Sequence, residues 1–297
     1  METHLPAVTK LSSRVTRILG FNPGRFTLQG TNTYLVGTGK ERLLIDSGEG
    51  KMEYIRSLKS VLEESKEIVI VGIVLTHWHH DHVDGIPSVL ELCKSRGNST
   101  VPLYKRLYPD KDRKDFEFSN IAEGQVFSVE GATLKAYHAP GHTSDHMIFQ
   151  LKEENAMFSG DNVLGHGTSM FENLQDYMKS LRRMKILSPS KIYPGHGDVV
   201  TKPAEILNLY INNLQFREAR VVSLLKQLLA DPSREEKYVT VGDIAKKMYG
   251  NLSMDIFTLG ERMIKLHLEK LQAELSITPI ICEDRSVAWT LPKAQLI

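Results

Sequence analysis

Residues 76–82 read Thr-His-Trp-His-His-Asp-His, and no other segment of the sequence is as informative. His77 and His79 stand two positions apart, so both side chains point to the same side of an extended segment. Asp81 and His82 follow them, and imidazole and carboxylate groups are ligands that zinc accepts. A continuous apolar run before the motif predicts a buried strand. Ligands at the end of such a strand favour a metal site over a histidine-rich surface loop.

Three further candidate ligands occur later in the chain, and each of them stands beside a glycine after a short apolar stretch. They are His142, Asp161 and His196. Glycine lets the backbone turn sharply where a strand gives way to a loop. The same order of strand, glycine and ligand therefore repeats, and together these motifs predict one metal site built at several strand ends.

These motifs resemble those of the metallo-β-lactamase-fold hydrolases over the first two thirds of the chain. The resemblance implies an α/β fold, specifically a four-layer αβ/βα sandwich that carries two Zn²⁺ ions per chain. The implied ligands are His77, His79 and His142 for the first ion, Asp81, His82 and His196 for the second, and Asp161 as the bridge between them.

Two aspartates have further implied roles. Asp46 matches the family's first motif, where the aspartate holds a ligand histidine by its other ring nitrogen. Asp81 is expected to accept a proton while it binds metal, and it is therefore the candidate catalytic residue.

A narrower resemblance joins the chain to the β-lactamase-like protein 2 group. Residues 22–37, residues 143–147 and the whole C-terminal region carry it. Members of that group in animals are regarded as endoribonucleases that act on single-stranded RNA in mitochondria. The resemblance therefore implies single-stranded RNA as the partner and the mitochondrial matrix as the location, with the cytoplasm as the alternative.

Composition adds few constraints. The chain has 297 residues and a formal net charge of +1, without the overall basic surplus typical of nucleic-acid binders. No apolar run approaches the length of a membrane-spanning helix, so no membrane partner is expected. Cys93 and Cys282 show no metal or redox spacing, which fits a reducing compartment. Residues 11–20 are interpreted as a first strand in preference to part of a transit peptide.

One local basic surplus exists at residues 177–197, which include no acidic residue. Apolar residues recur there every three or four positions and predict an amphipathic helix with a basic outer face. The lysines and arginines of this 177–197 segment are Lys179, Arg182, Arg183, Lys185 and Lys191. Such a face can guide an RNA backbone or be a solvated surface.

The pattern of predicted secondary structure changes near Pro203. Before it, strands are predicted at 14–19, 32–36, 42–45, 68–75, 133–139, 146–151, 156–159 and 191–193, and helices at 52–65, 86–94 and 173–187. Residues 105–118 are dense in both charges and predict an exposed loop or short helix. After it come three helical segments and a hairpin, the order of a winged helix. The predicted domains are therefore 1–203, catalytic, and 204–297, a winged-helix-like lid or wall of the active-site groove.

Three functions remain open from the sequence. The first is cleavage of single-stranded RNA by attack of a metal-bridging hydroxide on the phosphodiester. The second is thioester hydrolysis of the glyoxalase II type, which uses the same metal motifs. The third is a non-catalytic fold that keeps the metal as a structural clip, and the bridging carboxylate argues against it.

Overall fold

The computed structural model describes residues 4–64, 67–250 and 253–292. The chain forms two compact units, residues 1–208 and residues 209–297. The boundary falls inside one long helix, α5 (Pro203–Ala230). The first residue of α5 is the position near which the predicted secondary-structure pattern changes. No helix in the described part of the chain is both long and apolar enough to cross a membrane.

The first unit alternates strands with helices. Its strands are β1 (Val8–Lys10), β2 (Val15–Leu19), β3 (Asn32–Val36), β4 (Glu41–Ile45), β5 (Val69–Val74), β6 (Leu103–Lys105), β7 (Ser119–Asn120), β8 (Val126–Val129), β9 (Ala132–His138), β10 (Met147–Leu151), β11 (Ala156–Gly160) and β12 (Lys191–Pro194). Its helices are α1 (Met52–Glu63), α2 (His80–Val83), α3 (Ile86–Ser95) and α4 (Leu174–Leu187).

Two sheets face each other in this unit. One has seven strands in the order β1 to β7, and the other has five in the order β12-β11-β10-β9-β8. Apolar side chains from both sheets, such as Val36, Leu134 and Phe149, form the core between them. The other face of the seven-stranded sheet packs on α1 and α3 through residues such as Leu58 and Val89. The fold is therefore the α/β arrangement that the sequence predicts, with buried sheets whose strand ends carry the ligands.

The second unit begins in α5 and continues with α6 (Val241–Tyr249), α7 (Met254–Ala273), β13 (Thr278–Ile281) and β14 (Val287–Thr290). Thr240 and Asp243 form a capping box at the start of α6. The helices and the hairpin share one core, which includes Val221, Ile264 and Trp289. The order of helices followed by a hairpin agrees with the predicted order.

The structure corrects several details of the sequence interpretation. The chain has a first strand, β1, that the expected strand at 11–20 does not include. Residues 106–118 form a loop between β6 and β7, but Lys105 at its start is buried, not exposed. The predicted end of α1 at Ser65 lies outside the described residues.

Candidate metal centre

Four strand ends bring the candidate ligands together. The 76–82 motif follows β5, and its second half forms the short helix α2. His142 lies in the turn between β9 and β10, Asp161 directly follows β11, and His196 lies two residues beyond β12. The seven predicted side chains form two groups, in each of which the ligand atoms lie within 4.8 Å of one another.

The first group is a cluster of three imidazoles with one carboxylate. Nδ1 of His79 lies 3.0 Å from Nε2 of His77 and 3.0 Å from Nε2 of His142. Oδ2 of Asp161 lies 3.6 Å from the His142 nitrogen. Three nitrogens around one tetrahedral zinc ion lie about 3.3 Å apart, so this spacing suits a single ion. His79 is half-buried while the others are buried, so the site opens to solvent on its side.

The second group shares that carboxylate. Nε2 of His196 lies 3.2 Å from Oδ2 of Asp81 and 3.2 Å from Oδ2 of Asp161. Nε2 of His82 lies 3.3 Å from the same Asp81 oxygen and 3.4 Å from Oδ1 of Asp161. Asp161 therefore lies close to ligands of both groups, which is the position that a bridging carboxylate requires.

The protein leaves atoms in this site unsatisfied. Nε2 of His82 and Oδ1 of Asp161 are buried, and neither has a hydrogen-bond partner among the described residues. Buried polar atoms are ordinarily paired, because an unpaired one costs free energy. A divalent cation bound by both groups would satisfy these atoms, so the residues fit the two metal ions that the motifs imply.

The electrostatics of the cluster point the same way. Burial and the neighbouring His142 lower the pKa of His79 to about 4, so its imidazole is neutral and free to bind metal. Burial also opposes a charge on His196, yet Asp161 and Asp81 raise its pKa to about 9. The two carboxylates thus favour a positive charge nearby. A metal ion bound between them would supply that charge, and its binding would displace the proton of His196.

The other ring nitrogens of the histidines are held by fixed acceptors. Nδ1 of His82 donates to Oδ2 of Asp46 across 2.8 Å, the type of contact that the sequence predicts for this aspartate. Nδ1 of His77 lies 2.9 Å from the hydroxyl of Thr76, which itself donates to Asp46. Nδ1 of His142 lies 2.7 Å from the carbonyl oxygen of Met170. These contacts leave each Nε2 lone pair directed at the site.

A family model described as the metallo-beta-lactamase superfamily matches residues 26–196, which contain the whole ligand set. The chain belongs to this superfamily. A solved beta-lactamase domain protein from Burkholderia ambifaria has the same fold, with a TM-score of 0.77 at 15% identity over 97% of this chain and 95% of that one.

Two curated relatives of this metallo-beta-lactamase chain are nearly equally similar to it. One is the beta-lactamase-like protein 2 homolog of Caenorhabditis elegans, 43% identical over 91% of this chain and 88% of the relative. The other is the atrochrysone carboxyl ACP thioesterase of Aspergillus fumigatus, 42% identical over 85% of this chain and 78% of the relative. Both matches extend beyond residue 196, so they include part of the second unit.

His146 supports the candidate ligands without belonging to either ligand group. The backbone N–H of Asp161 donates to Nε2 of His146, 3.1 Å away. The glycines beside Asp161 leave it little room. A Cβ at Gly195 would lie 2.3 Å from Oδ1 of Asp161, and Gly160 has φ of +48° with His146 behind it. The site therefore needs glycine at both positions to place the bridging carboxylate.

Thr31 is a site residue that sequence reasoning missed. Its hydroxyl donates to Oδ2 of Asp81 across 3.0 Å, although fifty positions separate the two residues. Thr31 also forms an isolated antiparallel β-bridge with His196, and its backbone N–H donates to Oδ1 of Asn22. No local pattern marks this threonine, because its role arises only when β3 and the loop after β12 meet.

Proposed function

We propose that this metallo-beta-lactamase superfamily hydrolase is an endoribonuclease that cleaves single-stranded RNA with two zinc ions. One observation carries the choice of substrate. The loop between β2 and β3 has its far end at the candidate metal ligands, and it presents Phe26 with 70% of its surface exposed. The guanidinium of Arg25 lies 5.8 Å from the Phe26 ring centre. An exposed aromatic ring with a cation beside it is how proteins hold single-stranded bases and their phosphates.

The loop is anchored close to the reacting centre. Thr31 at its far end donates to Asp81, and the carbonyl oxygen of Gly30 accepts a hydrogen bond from Nδ1 of His196, 3.4 Å away. Phe26 is five residues from Thr31, so its backbone lies at most about 18 Å from that contact. A strand whose phosphate occupies the metal centre therefore has unpaired bases within reach of the ring.

The protein groups divide the chemistry as follows. The zinc ions, held by the seven ligands, would supply a nucleophilic water of lowered pKa and would neutralise charge on a phosphate oxygen. Burial raises the pKa of Asp81, but the neighbouring His82 and His196 lower it far below its ordinary value. Asp81 is therefore an anion that can accept a hydrogen bond from that water and so orient it, and the Thr31 hydroxyl fixes the orientation of the Asp81 carboxylate.

The α4 helix supports this proposal less than its sequence suggests. Arg183 is bonded to Glu123, donates to the carbonyl oxygen of His138 and lies over the Tyr137 ring. It is thus a structural residue next to the His142 turn. Arg182 and Lys185 are exposed and remain the residues of this helix that can meet an RNA backbone.

Thioester hydrolysis is the second candidate, and the name of the Aspergillus fumigatus relative favours it. A metal centre that attacks a phosphodiester also suits a thioester carbonyl, so the ligands do not separate the two reactions. The discriminating experiment measures cleavage of a labelled single-stranded RNA, the matching duplex, S-lactoylglutathione and an acyl carrier protein thioester by one zinc-loaded preparation. Cleavage of the single strand with resistance of the duplex supports the proposal. Rapid thioester hydrolysis without RNA cleavage overturns it.

The role of the loop tip has its own test. Phe26→Ala is expected to raise KM for single-stranded RNA about tenfold, because one stacked base contributes about 1–3 kcal/mol. The matched control is Val126→Ala, which shortens another exposed apolar side chain on the edge strand β8. This variant is expected to leave KM for single-stranded RNA unchanged. Charge reversal of Arg182 together with Lys185 is expected to weaken RNA binding and flatten its salt dependence, while a small chromogenic phosphodiester is hydrolysed as before.

A further inference from the structure

A buried lysine is the unusual feature of the wall beside the metal centre. Lys105, the last residue of β6, is 1% exposed. Its ammonium lies 2.5 Å from Oδ1 of Asp112 and 2.6 Å from Oδ2 of Asp145, and it donates to the carbonyl oxygen of Arg106. The approach to the two carboxylates is a close ion-pair contact rather than an in-line hydrogen bond. We name Lys105, Asp112 and Asp145 the ionic clip.

The ionic clip joins two segments that are distant in sequence. Asp145 belongs to the turn that carries the ligand His142, and its other oxygen accepts a hydrogen bond from Thr143 across 2.7 Å. Asp112 belongs to the 106–118 loop, where its second oxygen accepts from the backbone N–H of Tyr108. The clip therefore fixes the loop to the turn of a metal ligand.

A second contact fixes the other side of the loop. Arg113 donates to Asp84, which directly follows α2 with its ligands Asp81 and His82, and it also pairs with Asp115. A charged surface loop would ordinarily be mobile, yet this one is tied at two points to the segments that bind metal. Such a loop can hold one side chain at a fixed position relative to the reacting centre.

That side chain is Lys111, one residue before Asp112. Its ammonium lies 4.9 Å from the ring centre of Trp78, and the Trp78 ring lies 4.6 Å from that of the ligand His79. Lys111 is exposed, and no carboxylate within residues 4–64, 67–250 and 253–292 pairs with it. The protein thus keeps an uncompensated cation on the side where the metal site opens to solvent.

We propose that Lys111 binds the phosphate next to the scissile one in the substrate strand, and that the ionic clip positions it. This inference rests on the proposed function, since it deepens the way in which that site holds RNA. Lysine binds phosphate as a point charge, and cation–π contact with Trp78 keeps its flexible side chain at the opening. A fixed cation beside the metal centre orients the strand before bond cleavage.

The first experiment uses Lys111→Met and the conservative Lys111→Arg in the zinc-loaded full chain. With a labelled single-stranded RNA, Lys111→Met is expected to raise KM about tenfold with little change in kcat, which corresponds to about 1.4 kcal/mol. The slope of log affinity against log salt is expected to fall by about 0.7, one phosphate contact on a single strand. Lys111→Arg is expected to keep most of the affinity.

Matched controls separate this effect from a general defect. Lys114→Met alters another exposed lysine of the same loop and is expected to leave KM unchanged. A chromogenic phosphodiester with a single phosphate has no neighbouring phosphate for Lys111, so its KM is expected to be equal in all variants. Metal content is measured in each preparation.

The ionic clip is tested through coupling with Lys111. Asp112→Asn and Lys105→Met are each expected to raise KM for RNA, and combination with Lys111→Met is expected to add little further, because both act through the same ammonium. Additive effects would show a merely structural role and overturn the positioning part. If Lys105→Met does not fold, Asp112→Asn carries the test.

Two outcomes are kept distinct. Unchanged KM and salt slope in Lys111→Met, with normal RNA cleavage by the unmodified protein, overturn this inference alone. Absence of RNA cleavage by the unmodified zinc-loaded protein overturns the proposed function and this inference with it.

Discussion

Nδ1 of His82 donates to Oδ2 of Asp46, and the same aspartate accepts hydrogen bonds from the backbone N–H and the hydroxyl of Thr76. Asp46 adopts a positive φ of 58°, which directs its carboxylate beneath the 76–82 motif. One carboxylate thus orients His82 directly and His77 through the threonine. Because Asp46 contacts the histidines and not the metal position, it affects the metal affinity by orienting their imidazole rings.

Replacement of Asp46 is therefore expected to weaken metal retention. Asp46→Asn removes the anion that fixes the ring tautomer, and the affinity for the second ion is expected to fall roughly ten- to a hundredfold. Glu63→Gln, an exposed carboxylate on α1, is the matched control. The measurement is a competition between protein and chelator for zinc. Equal retention by Asp46→Asn and the control would contradict the proposed support.

The metal content is the second prediction. The two ligand groups are complete, so elemental analysis of protein prepared without chelator is expected to approach two ions per chain. His142→Ala and His196→Ala each remove a ligand of one group only and are expected to lower the content toward one. A firm value of one or none for the unmodified chain, under metal-replete conditions, would sink the dinuclear site.

Gly195 gives a third prediction. Alanine there would place a Cβ 2.3 Å from Oδ1 of Asp161, so the bridging carboxylate must move. Gly195→Ala is expected to lose metal about as strongly as Asp46→Asn. Gly242→Ala is the control, because its Cβ would meet nothing nearer than 3.8 Å and alanine favours the helix. Spectroscopy of a cobalt-substituted preparation reports the geometry, and identical spectra for Gly195→Ala and the unmodified chain would refute the clash.

The fourth prediction concerns the pH dependence of the second unit. His267 is fully buried, and Nδ1 lies 3.5 Å from Glu218, too far for a strong hydrogen bond. Burial lowers the pKa of His267, so the unfolded chain binds a proton that the folded unit does not. The free energy of unfolding is therefore expected to fall as pH drops below 6.5, by at most about 1.4 kcal/mol per pH unit.

The two tryptophans make this measurable. Trp78 and Trp289 lie in different units, so Trp289 fluorescence in a Trp78→Phe background reports denaturation of the second unit. His267→Leu is expected to remove the decline between pH 6.5 and 5. His166→Gln, which replaces an exposed histidine, is expected to keep it. A decline of equal size in His267→Leu would assign the pH dependence to other groups.

The candidate metal ligands could be singled out from the sequence because each follows an apolar strand and a turn, and both signals are local. His77 and Asp161 needed no knowledge of tertiary contacts to be singled out. Thr31 and Lys105 were not predictable in their roles. The partners of Thr31 lie 50 and 165 positions away, and Lys105 stands in a stretch whose mixed charges are typical of solvated loops. A buried charge is recognisable only once its counterions are located.

The short strands and the basic face of α4 were only partly predictable from the sequence. β6 and β7 have three and two residues, too few for a pattern of alternation to emerge. The basic outer face of α4 was visible in the sequence, but the commitment of Arg183 to Glu123 was not, because sixty positions separate them. The sequence thus shows which charges are present and leaves open which of them are already neutralised.

The bridge between Thr31 and His196 has a consequence for the chain as it is synthesised. The four ligands of the 76–82 motif leave the ribosome long before residue 196, which follows at roughly 6 to 20 seconds at ordinary rates of elongation. During that interval a nascent chain holds an incomplete cluster that lacks its closing residue. A message truncated between codons 162 and 195 would therefore release a polypeptide with six of the seven ligands and an open edge beside Thr31, a product that quality-control proteases are expected to remove.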